Sequence, residues 1–373
     1  MSFTNLIQSL NQAASALSVP GSSNVQERNE LREACQRFSA CLETPVERLL
    51  RTSSGCIEPA ILRLAIDIGV FSLLNEELEP DTEIDVSEIA ARTKTDHGMM
   101  SRLMRFLIML QVVDVTPQGR CKATAVTRSF KPGTIIYNHV VALSGIYLPL
   151  FGRLPTYLRE NQYRPPDDAY RGLFQDGFKT DLHFFDWLDI HKQEHDAFHG
   201  MMEASASSNL VAWTQYIPRE WFEQRLTPSK LADGGFTLVD TASRSSRKLE
   251  RMSHNFFHKQ PVRGADIYLL ARILHDWPDK QAREILSNLR EAMDSNSTLL
   301  VYDRVFGDQL EKVSAADAIY DAVMMAFFSS LERSEAQFRD LLSSVGLRLC
   351  NIWRGDLGSD GDKQAVLEIV REE

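Results

Sequence analysis

At 373 residues, the chain is long enough to form two domains and to bury a full hydrophobic core without metals or disulfides. Its formal net charge of -10 argues against broad electrostatic binding to nucleic acid or to an anionic membrane, so we expect small molecules or proteins as partners. The cysteines show neither CxxC pairs nor regular spacing with histidines, which indicates reduced thiols in a cytoplasmic protein. The sequence pattern also predicts no export signal and no membrane-spanning segment.

The first part of the chain is helical in pattern. Residues 1–50 predict an N-terminal helical arm, broken at Val19 to Asn24, where a proline and a glycine end one helix. Such an arm could lie on a partner subunit or could be a frayed terminus.

Residues 51–135 have the pattern of a winged helix. A helix, a turn and a second helix are followed by the segments VVDV and CKAT, which flank a turn as a two-stranded hairpin. Asp85 is expected to cap the first helix in a capping box with Glu88. The second helix carries only Arg102 and Arg105 as cations among apolar residues, too few to neutralise a phosphate backbone. We therefore expect this domain to pack against protein and not to bind nucleic acid.

Residues 136–207 predict a helical connector whose helices line a substrate pocket. His191, His195 and His199 recur at four-residue spacing on one helical face. A metal site normally adds carboxylate or cysteine ligands and a second shell of hydrogen bonds. We therefore expect an ordinary solvated helix face and no metal.

From residue 208 to residue 373 apolar runs alternate with helical patterns, which is typical of an α/β domain. The runs are FTLVD (236–240), ADIYLLARIL (265–274), STLLVYDRVF (297–306), LRLCNIWRG (347–355) and AVLEIV (365–370). The clearest helices between them are QAREILSNLREAM (281–293) and EAQFRDLLSSV (335–345). This order predicts a parallel sheet covered by helices.

Three titratable residues lie near the ends of the predicted elements of this domain. His275 comes directly after one strand, Asp303 lies at the end of the next, and Glu332 precedes a helix. Ligands of open α/β sheets bind beyond the carboxyl ends of the strands, so His275 is well placed for proton transfer, with the two carboxylates raising its basicity. The alternative is that His275 caps the following helix while both acids lie at the surface.

The segments ILHDWPD (273–279) and ERSEAQFRDLLSSVGL (332–347) resemble class I small-molecule O-methyltransferases, and among them the fungal secondary-metabolism branch. The resemblance runs from about Ile57 to the C-terminus. It implies a Rossmann-like class I methyltransferase domain preceded by an all-α, winged-helix dimerisation domain, and an interlocked homodimer. It also implies that His275 deprotonates a substrate hydroxyl, oriented by Asp303, in place of the usual Glu, and by Glu332.

The resemblance implies S-adenosylmethionine as cofactor, but this side of the sequence departs from the family. The family has a glycine-rich DxGGGxG loop after its first strand and a ribose-binding acid after its second, whereas here FTLVD runs into TASRSSR. The chain between Asp240 and Asn255 is less than half as long as the roughly 30 residues of a βαβ unit. Candidate cofactor contacts are Asp240, Asn255 and Phe256. With the loop and the ribose acid missing, we expect cofactor affinity to fall by several kcal/mol.

Three functions remain open from the sequence. The first is an O-methyltransferase that acts on a phenolic or polyketide-like hydroxyl, with His275 as general base. The second is a methyltransferase-fold enzyme that catalyses a pericyclic cyclisation of Diels-Alder or Alder-ene type, which needs an apolar cavity and hydrogen-bond donors but no methyl donor. The third is a non-catalytic regulatory or scaffold dimer. Candidate substrate contacts are His139, Met202, Asp276 and Arg304.

Overall fold

The structure is a computed structural model, and it describes residues 3–17, 25–79, 82–209, 213–225, 237–240, 254–307, 315–354 and 364–372. The chain divides into two compact units, Met1–Leu64 and Ala65–Glu373. The predicted domain boundaries at residues 50, 135 and 207 stay predictions.

The first unit is helical. Its helices are α1 (Phe3–Leu17), α2 (Val25–Leu42), α3 (Pro45–Ser54) and the first part of α4 (Ile57–Ile68). A reciprocal capping box between Thr44 and Glu47 starts α3, where Pro45 suits the first helical position. The predicted break at Val19 to Asn24 lies outside the described residues, and α2 begins directly after it at Val25.

The second unit begins with the predicted two helices and hairpin. Its elements are α5 (Val70–Ser72), a π-helical turn (Leu73–Glu77), β1 (Glu83–Ile84), α6 (Val86–Arg92), α7 (His97–Met109), β2 (Val113–Val115), β3 (Cys121–Ala123) and α8 (Ala125–Ser129). The strands form an antiparallel sheet in the order β1-β3-β2. Asp85 caps α6 by accepting from the Ser87 N–H, as predicted, but Glu88 pairs with Arg92 one turn along the helix and not with the cap.

A bundle of helices follows the hairpin. It comprises α9 (Ile135–Ala142), a π-helical turn (Leu143–Tyr147), α10 (Leu148–Glu160), α11 (Leu173–Phe178), α12 (Phe184–Ile190), α13 (Lys192–Asn209) and α14 (Arg219–Arg225). The first three run on as one helix, Ile135–Glu160, which is long and apolar enough to span a membrane by length and composition alone. The expectation that the chain has no membrane-spanning segment stays a prediction. The helix buries Ile146 and Leu150 in the unit, as a core helix does.

Two glycines in this bundle differ in their surroundings. A Cβ added at Gly200 of α13 would collide with the buried amide of Asn138 on α9, whereas a Cβ at exposed Gly152 of α10 would meet nothing within 4 Å. Overpacking a well-packed site costs about 1–3 kcal/mol, while replacing a helical glycine gains up to about 1 kcal/mol. We therefore expect Gly200→Ala to lower the free energy of unfolding in urea and the matched control Gly152→Ala to raise it. Equal effects would contradict close packing of α9 on α13.

A mixed sheet forms the centre of the C-terminal part. The strands are β4 (Leu238–Asp240), β5 (Ile267–Ala271), β6 (Thr298–Arg304), β7 (Leu347–Arg354) and β8 (Gln364–Arg371), and the helices are α15 (Asp279–Ala292), α16 (Ala315–Phe328) and α17 (Glu335–Ser343). The order is β4-β5-β6-β8-β7. Strands β4, β5 and β6 are parallel, but β8 runs antiparallel to both β6 and β7. The prediction of a wholly parallel sheet is therefore wrong.

Both faces of this sheet are covered. Alternate residues of a strand point to opposite faces, so Tyr268 and Leu270 pack with α15 and α17 while Ile267 and Leu269 pack on the other side with α14. Because both sets are apolar, the strands read in the sequence as unbroken hydrophobic runs. The covered sheet brings the ends of β5 and β6 to one edge.

Candidate active site

The chain turns sharply where β5 ends. Arg272 has a φ of 56, in the left-handed region that residues other than glycine rarely adopt, and its N–H donates to the Tyr302 carbonyl at 2.7 Å. A single 3₁₀ turn, Leu274–Asp276, follows and carries His275. Backbone strain of this kind costs about 1–3 kcal/mol and persists only where neighbouring contacts hold it.

Arg333 provides those contacts. Its guanidinium is 1% exposed and donates to the carbonyls of Leu274 and Trp277 at 2.7 and 2.8 Å. The same group forms a two-pronged ion pair with Asp279, at 3.1 and 2.9 Å. Because Arg333 follows Glu332 in the chain, this clamp fixes the position of the Glu332 backbone relative to the His275 turn.

Three carboxylates surround the His275 imidazole. Its Nδ1 lies 3.4 Å from Glu332 Oε1 and 3.7 Å from Asp303 Oδ1, and its Nε2 lies 3.5 Å from Asp276 Oδ1. The backbone N–H of His275 also donates to Asp303 Oδ2 at 3.2 Å. The structure thus brings the predicted His275, Asp303 and Glu332 together, and the roles assigned to them stay predictions.

The charges in this cluster shift one another. Burial alone would lower the pKa of His275, but the negative charges of Asp276, Asp303 and Glu332 outweigh it and raise the pKa to about 10. Burial raises the pKa of Asp276 to about 6, against the positive charges of His275 and Arg272. The pKa of Asp303 is raised as well, again mainly by burial. The surrounding carboxylates therefore favour the protonated form of the imidazole.

An aromatic layer lies beside the histidine turn. The ring of His183, 3% exposed, stacks on Trp277 with centroids 4.5 Å apart and planes at 11°. Phe256 and Phe257 meet the same indole edge-on, at 5.8 and 4.7 Å. Trp277 is thereby held between a stacked ring and two edges, which limits the freedom of the turn that precedes it.

His183 makes the stability of this layer depend on pH. Its Nδ1 accepts from the Phe185 N–H at 3.4 Å, so the neutral ring carries its proton on Nε2. Burial lowers the pKa of His183 to about 4, below the value near 6.5 expected in the unfolded chain. The unfolded state therefore binds this proton more readily, and stability falls as the pH drops from about 6.5 to about 4, by about 3 kcal/mol in all.

We expect His183→Asn, which keeps a capping oxygen for α12, to flatten the loss of stability between these pH values relative to the wild type. Urea unfolding curves at a series of pH values measure the slope. His258→Asn, at an exposed position, is the matched control. A wild-type slope that survives in His183→Asn would contradict the assignment.

The other predicted substrate contacts are spread over the unit. Arg304 follows Asp303 on β6 but pairs with Asp317 at 2.9 Å and lies over the ring of Tyr320. His139 on α9 contacts the Met201 sulfur through Nδ1 at 3.4 Å. Met202 follows Met201 on α13 and is half-buried. Of the predicted set, Asp276 is the one that lies beside the His275 ring, and all four stay predictions as substrate contacts.

The predicted cofactor contacts lie beside a short strand. Asn255 Oδ1 accepts from the Phe257 N–H at 3.0 Å and the Phe256 carbonyl accepts from Asn288 at 3.1 Å, so these groups stabilise local turns. Residues 254–266 form turns and no strand, so they do not supply the second strand whose terminal acid binds the ribose in the family that the sequence resembles. The side chain of Asp240 and the segments LADGG and TASRSSR lie outside the described residues. The candidate cofactor contacts Asp240, Asn255 and Phe256 therefore stay predictions.

The three predicted histidines do not all lie on one helix, because His191 precedes α13 while His195 and His199 lie on it. His191 stacks on Trp187 with centroids 3.7 Å apart, and His195 Nδ1 lies 3.1 Å from Asp196. Within the described ranges, no group of three His, Cys, Asp or Glu side chains is arranged to hold a metal ion.

A separate cleft of about 440 Å³ opens between α10 and α11. Its lining includes Glu160, Asp176 and Lys179, and none of the His275 cluster. Arg153 and Lys179 already neutralise Asp176 in ion pairs, so the cleft offers no unpaired cluster of charges for catalysis. The chemistry favours the His275 site.

Two residues of the site were not predicted from the sequence. Arg333 lies inside the ERSEAQF motif next to Glu332, so its place in the motif could have identified it as a site residue. No pattern in the sequence indicated His183, because its contact with Trp277 joins residues far apart in the chain.

Comparison with protein families identifies two domains in the chain. The O-methyltransferase domain matches residues 238–348, and the O-methyltransferase dimerisation domain matches residues 37–132. Among characterised relatives, the O-methyltransferase mfmE of Annulohypoxylon moriforme is 29% identical and aligns over 97% of this chain and 96% of its own length.

Solved structures share the fold. One described as "The structure of LepI complex with SAM" superposes with a TM-score of 0.75 at 23% identity, covering 100% of both chains. Another, described as "A Pericyclic Reaction enzyme", gives a TM-score of 0.73 at 23% identity and covers 98% of this chain and 100% of that one. Both O-methyltransferase domain models match the chain, and His275 of the ILHDWPD segment lies at the carboxyl edge of the sheet. The chain therefore belongs to the O-methyltransferase family.

Proposed function

We propose that the protein is a cytoplasmic enzyme of fungal secondary metabolism that removes a proton from a hydroxyl of a small phenolic or polyketide-like substrate. O-methylation is the first candidate for the complete reaction, because it is the activity of the family. The observation that carries the proposal is the imidazole of His275, held among Asp276, Asp303 and Glu332 at the carboxyl edge of the sheet. By resemblance, His275 is the general base.

The apolar surroundings support a small aromatic or polyketide-like substrate. Tyr147 of the long helix lies against Phe327 of α16 with ring centroids 4.6 Å apart, and Phe184 of α12 meets Phe327 and Phe328 edge-on. Phe184, Phe327 and Phe328 are 0%, 1% and 3% exposed, so of these four rings half-buried Tyr147 is the one that keeps exposed aromatic surface for a planar ligand.

A pericyclic cyclisation is the second candidate, favoured by two observations. The sequence after FTLVD lacks the glycine-rich loop that holds the methyl donor in the family, and residues 254–266 form turns and no strand. A positively charged His275 is also a strong hydrogen-bond donor, which is the group that polarises a carbonyl in such a reaction.

One assay separates the two reactions. A fungal strain that lacks the gene supplies an extract with the accumulated intermediate, and the purified protein is added with and without S-adenosylmethionine. Methyl transfer requires the cofactor and adds the mass of one CH₂ to the product, whereas a cyclisation proceeds without it and leaves the mass unchanged. An intermediate that the protein consumes under neither condition would overturn the proposal. Calorimetric titration with S-adenosylmethionine gives the affinity independently.

We also propose that the protein is a homodimer. The dimerisation domain match covers α3, where Val46, Leu49 and Leu50 are 65%, 69% and 61% exposed. Apolar side chains at that exposure gain free energy when a partner subunit covers them. Sedimentation equilibrium should give twice the mass of the chain, and Leu49→Lys should shift the equilibrium toward monomer while Ser54→Lys on the same helix should not. A wild-type monomer would contradict the proposal.

A further inference from the structure

Two tyrosines bring their phenol groups together where the long helix meets α16. Tyr147 lies at the end of the π-helical turn, and its ring packs against Phe327 of α16 with centroids 4.6 Å apart. Tyr320 lies on the same helix as Phe327, and its phenol acts electrostatically on that of Tyr147. Such π-helical turns inside α-helices are frequent at functional sites. The helix distortion therefore points to Tyr147 as a residue with a role beyond packing.

The fold does not use either of these hydroxyls. Among the residues that the structure describes, neither hydroxyl has a hydrogen-bond partner, and no hydrogen bond joins the two phenols. Tyr147 is half-buried and Tyr320 is 45% exposed, so a ligand can reach both side chains. Partly buried tyrosines with unused hydroxyls combine an apolar surface with a hydrogen-bond donor.

The Tyr147 hydroxyl is a donor at neutral pH. Burial, together with the neighbouring phenol of Tyr320, raises the pKa of Tyr147 to about 12. The hydroxyl therefore keeps its proton over the whole range in which the protein is folded and active. A phenol O–H donates one hydrogen bond, and a carbonyl oxygen has two lone pairs and accepts from two donors.

Tyr320 is connected to the His275 site through β6. The Arg304 guanidinium lies 4.5 Å from the centre of the Tyr320 ring, which limits the positions that the ring adopts. Arg304 follows Asp303, whose carboxylate lies 3.7 Å from His275 Nδ1. One strand end thus holds both the imidazole and the Tyr320 ring.

Helix α16 makes a second connection to the same site. Asp321, the residue after Tyr320, accepts from the Glu332 N–H at 3.0 Å. The helix also packs against the 3₁₀ turn that carries His275. The two phenols and the imidazole are therefore supported by one set of elements, so a single small molecule that lies along α16 meets both.

We propose that Tyr147 and Tyr320 donate hydrogen bonds to one carbonyl oxygen of the substrate while its reacting hydroxyl lies at His275. This inference rests on the proposed function and narrows its substrate class to planar molecules that carry a ring ketone as well as a hydroxyl. The two tyrosines bind the substrate and select which of its hydroxyls faces His275. Proton removal stays with the imidazole.

Equilibrium dialysis of the full-length protein measures the preference for a ketone. The probes are a hydroxyfluorenone and the matching hydroxyfluorene, planar molecules that differ in the ring ketone alone. The wild type should bind the ketone at least about tenfold more tightly, and Tyr147→Phe and Tyr320→Phe should each reduce that ratio at least about threefold. Equal affinities of the wild type for the two probes, or an unchanged ratio in Tyr147→Phe, would overturn the proposal.

Tyr157 provides the matched control for these variants. It lies on the same long helix but lines the separate cleft between α10 and α11. Tyr157→Phe should keep the wild-type ratio of affinities, and a ratio that falls as far as in Tyr147→Phe would overturn the assignment to the Tyr147 hydroxyl. Probe binding needs no turnover, so its outcome is distinct from failure of the proposed function.

Kinetics with the accumulated intermediate give a second readout. Tyr147→Phe should raise KM at least about threefold while kcat changes by less than about twofold, the result expected when substrate binding alone is weakened. A structural role at a distance from the substrate would not separate KM from kcat in this way. A wild-type KM in Tyr147→Phe would overturn the proposal.

Discussion

Replacement of Arg333 by methionine is expected to lower the free energy of unfolding by about 3–5 kcal/mol. The guanidinium is 1% exposed and holds the carbonyls of Leu274 and Trp277 together with Asp279. Methionine fills much of the space but donates no hydrogen bond, so the Trp277 carbonyl would lose the Arg333 donor and the Leu274 carbonyl would keep only the Trp277 N–H, at about 1–3 kcal/mol for an unsatisfied buried group. The strained turn at Arg272 would lose its support at the same time.

Urea denaturation measures this effect, and Arg339 provides the matched control. Arg339 lies on α17 in an exposed pair with Glu335, so Arg339→Met should cost less than about 1 kcal/mol. Arg333→Lys keeps the charge but lacks the planar guanidinium. Its loss of unfolding free energy should lie between those of Arg333→Met and Arg339→Met. If Arg333→Met were as mild as Arg339→Met, the clamp would have no role in stability.

His275→Gln is expected to reduce turnover of the accumulated intermediate at least about 100-fold. Glutamine has similar length and can donate a hydrogen bond, but it carries no charge to compensate Asp303 and Glu332. Either role of His275, base or imidazolium, predicts this loss. The exposed His258→Gln should keep wild-type turnover, and a fold check by circular dichroism separates a chemical defect from unfolding.

Asp303→Asn gives a finer distinction within the same site. It removes one buried negative charge and leaves an oxygen to accept from the His275 backbone N–H, which lies 3.2 Å from the present carboxylate. Turnover should fall while thermal stability stays the same or rises, because sites that hold like charges together commonly sacrifice stability for function.

The strands of the C-terminal domain were predictable because they are buried on both faces. Runs such as ADIYLLARIL and STLLVYDRVF leave no polar alternation, and β5 and β6 lie within them. Strand direction was not predictable in this way, since an apolar run reads the same in a parallel or an antiparallel strand. The antiparallel β8 therefore overturned the prediction of a wholly parallel sheet.

The site was predictable in part for a similar reason. His275 and Asp303 follow adjacent parallel strands, so the topology alone brings them to one edge. The contact of Asp276 with the far side of the ring depends on the 3₁₀ turn and on the strained Arg272, which no local pattern indicates. His183 reaches Trp277 only through the packing of α12, a long-range contact that periodicity cannot show.

The central claim is that this chain acts chemically through the His275 cluster and is not a passive scaffold. Chromosomal replacement of His275 by glutamine in the fungus that carries the gene, followed by mass analysis of the pathway metabolites, tests it most directly. We predict that the final metabolite falls at least about 100-fold and that the intermediate accumulates as in the deletion strain, with the variant protein present at its normal level. A final metabolite at the wild-type level would contradict the claim and would support a regulatory or scaffold dimer.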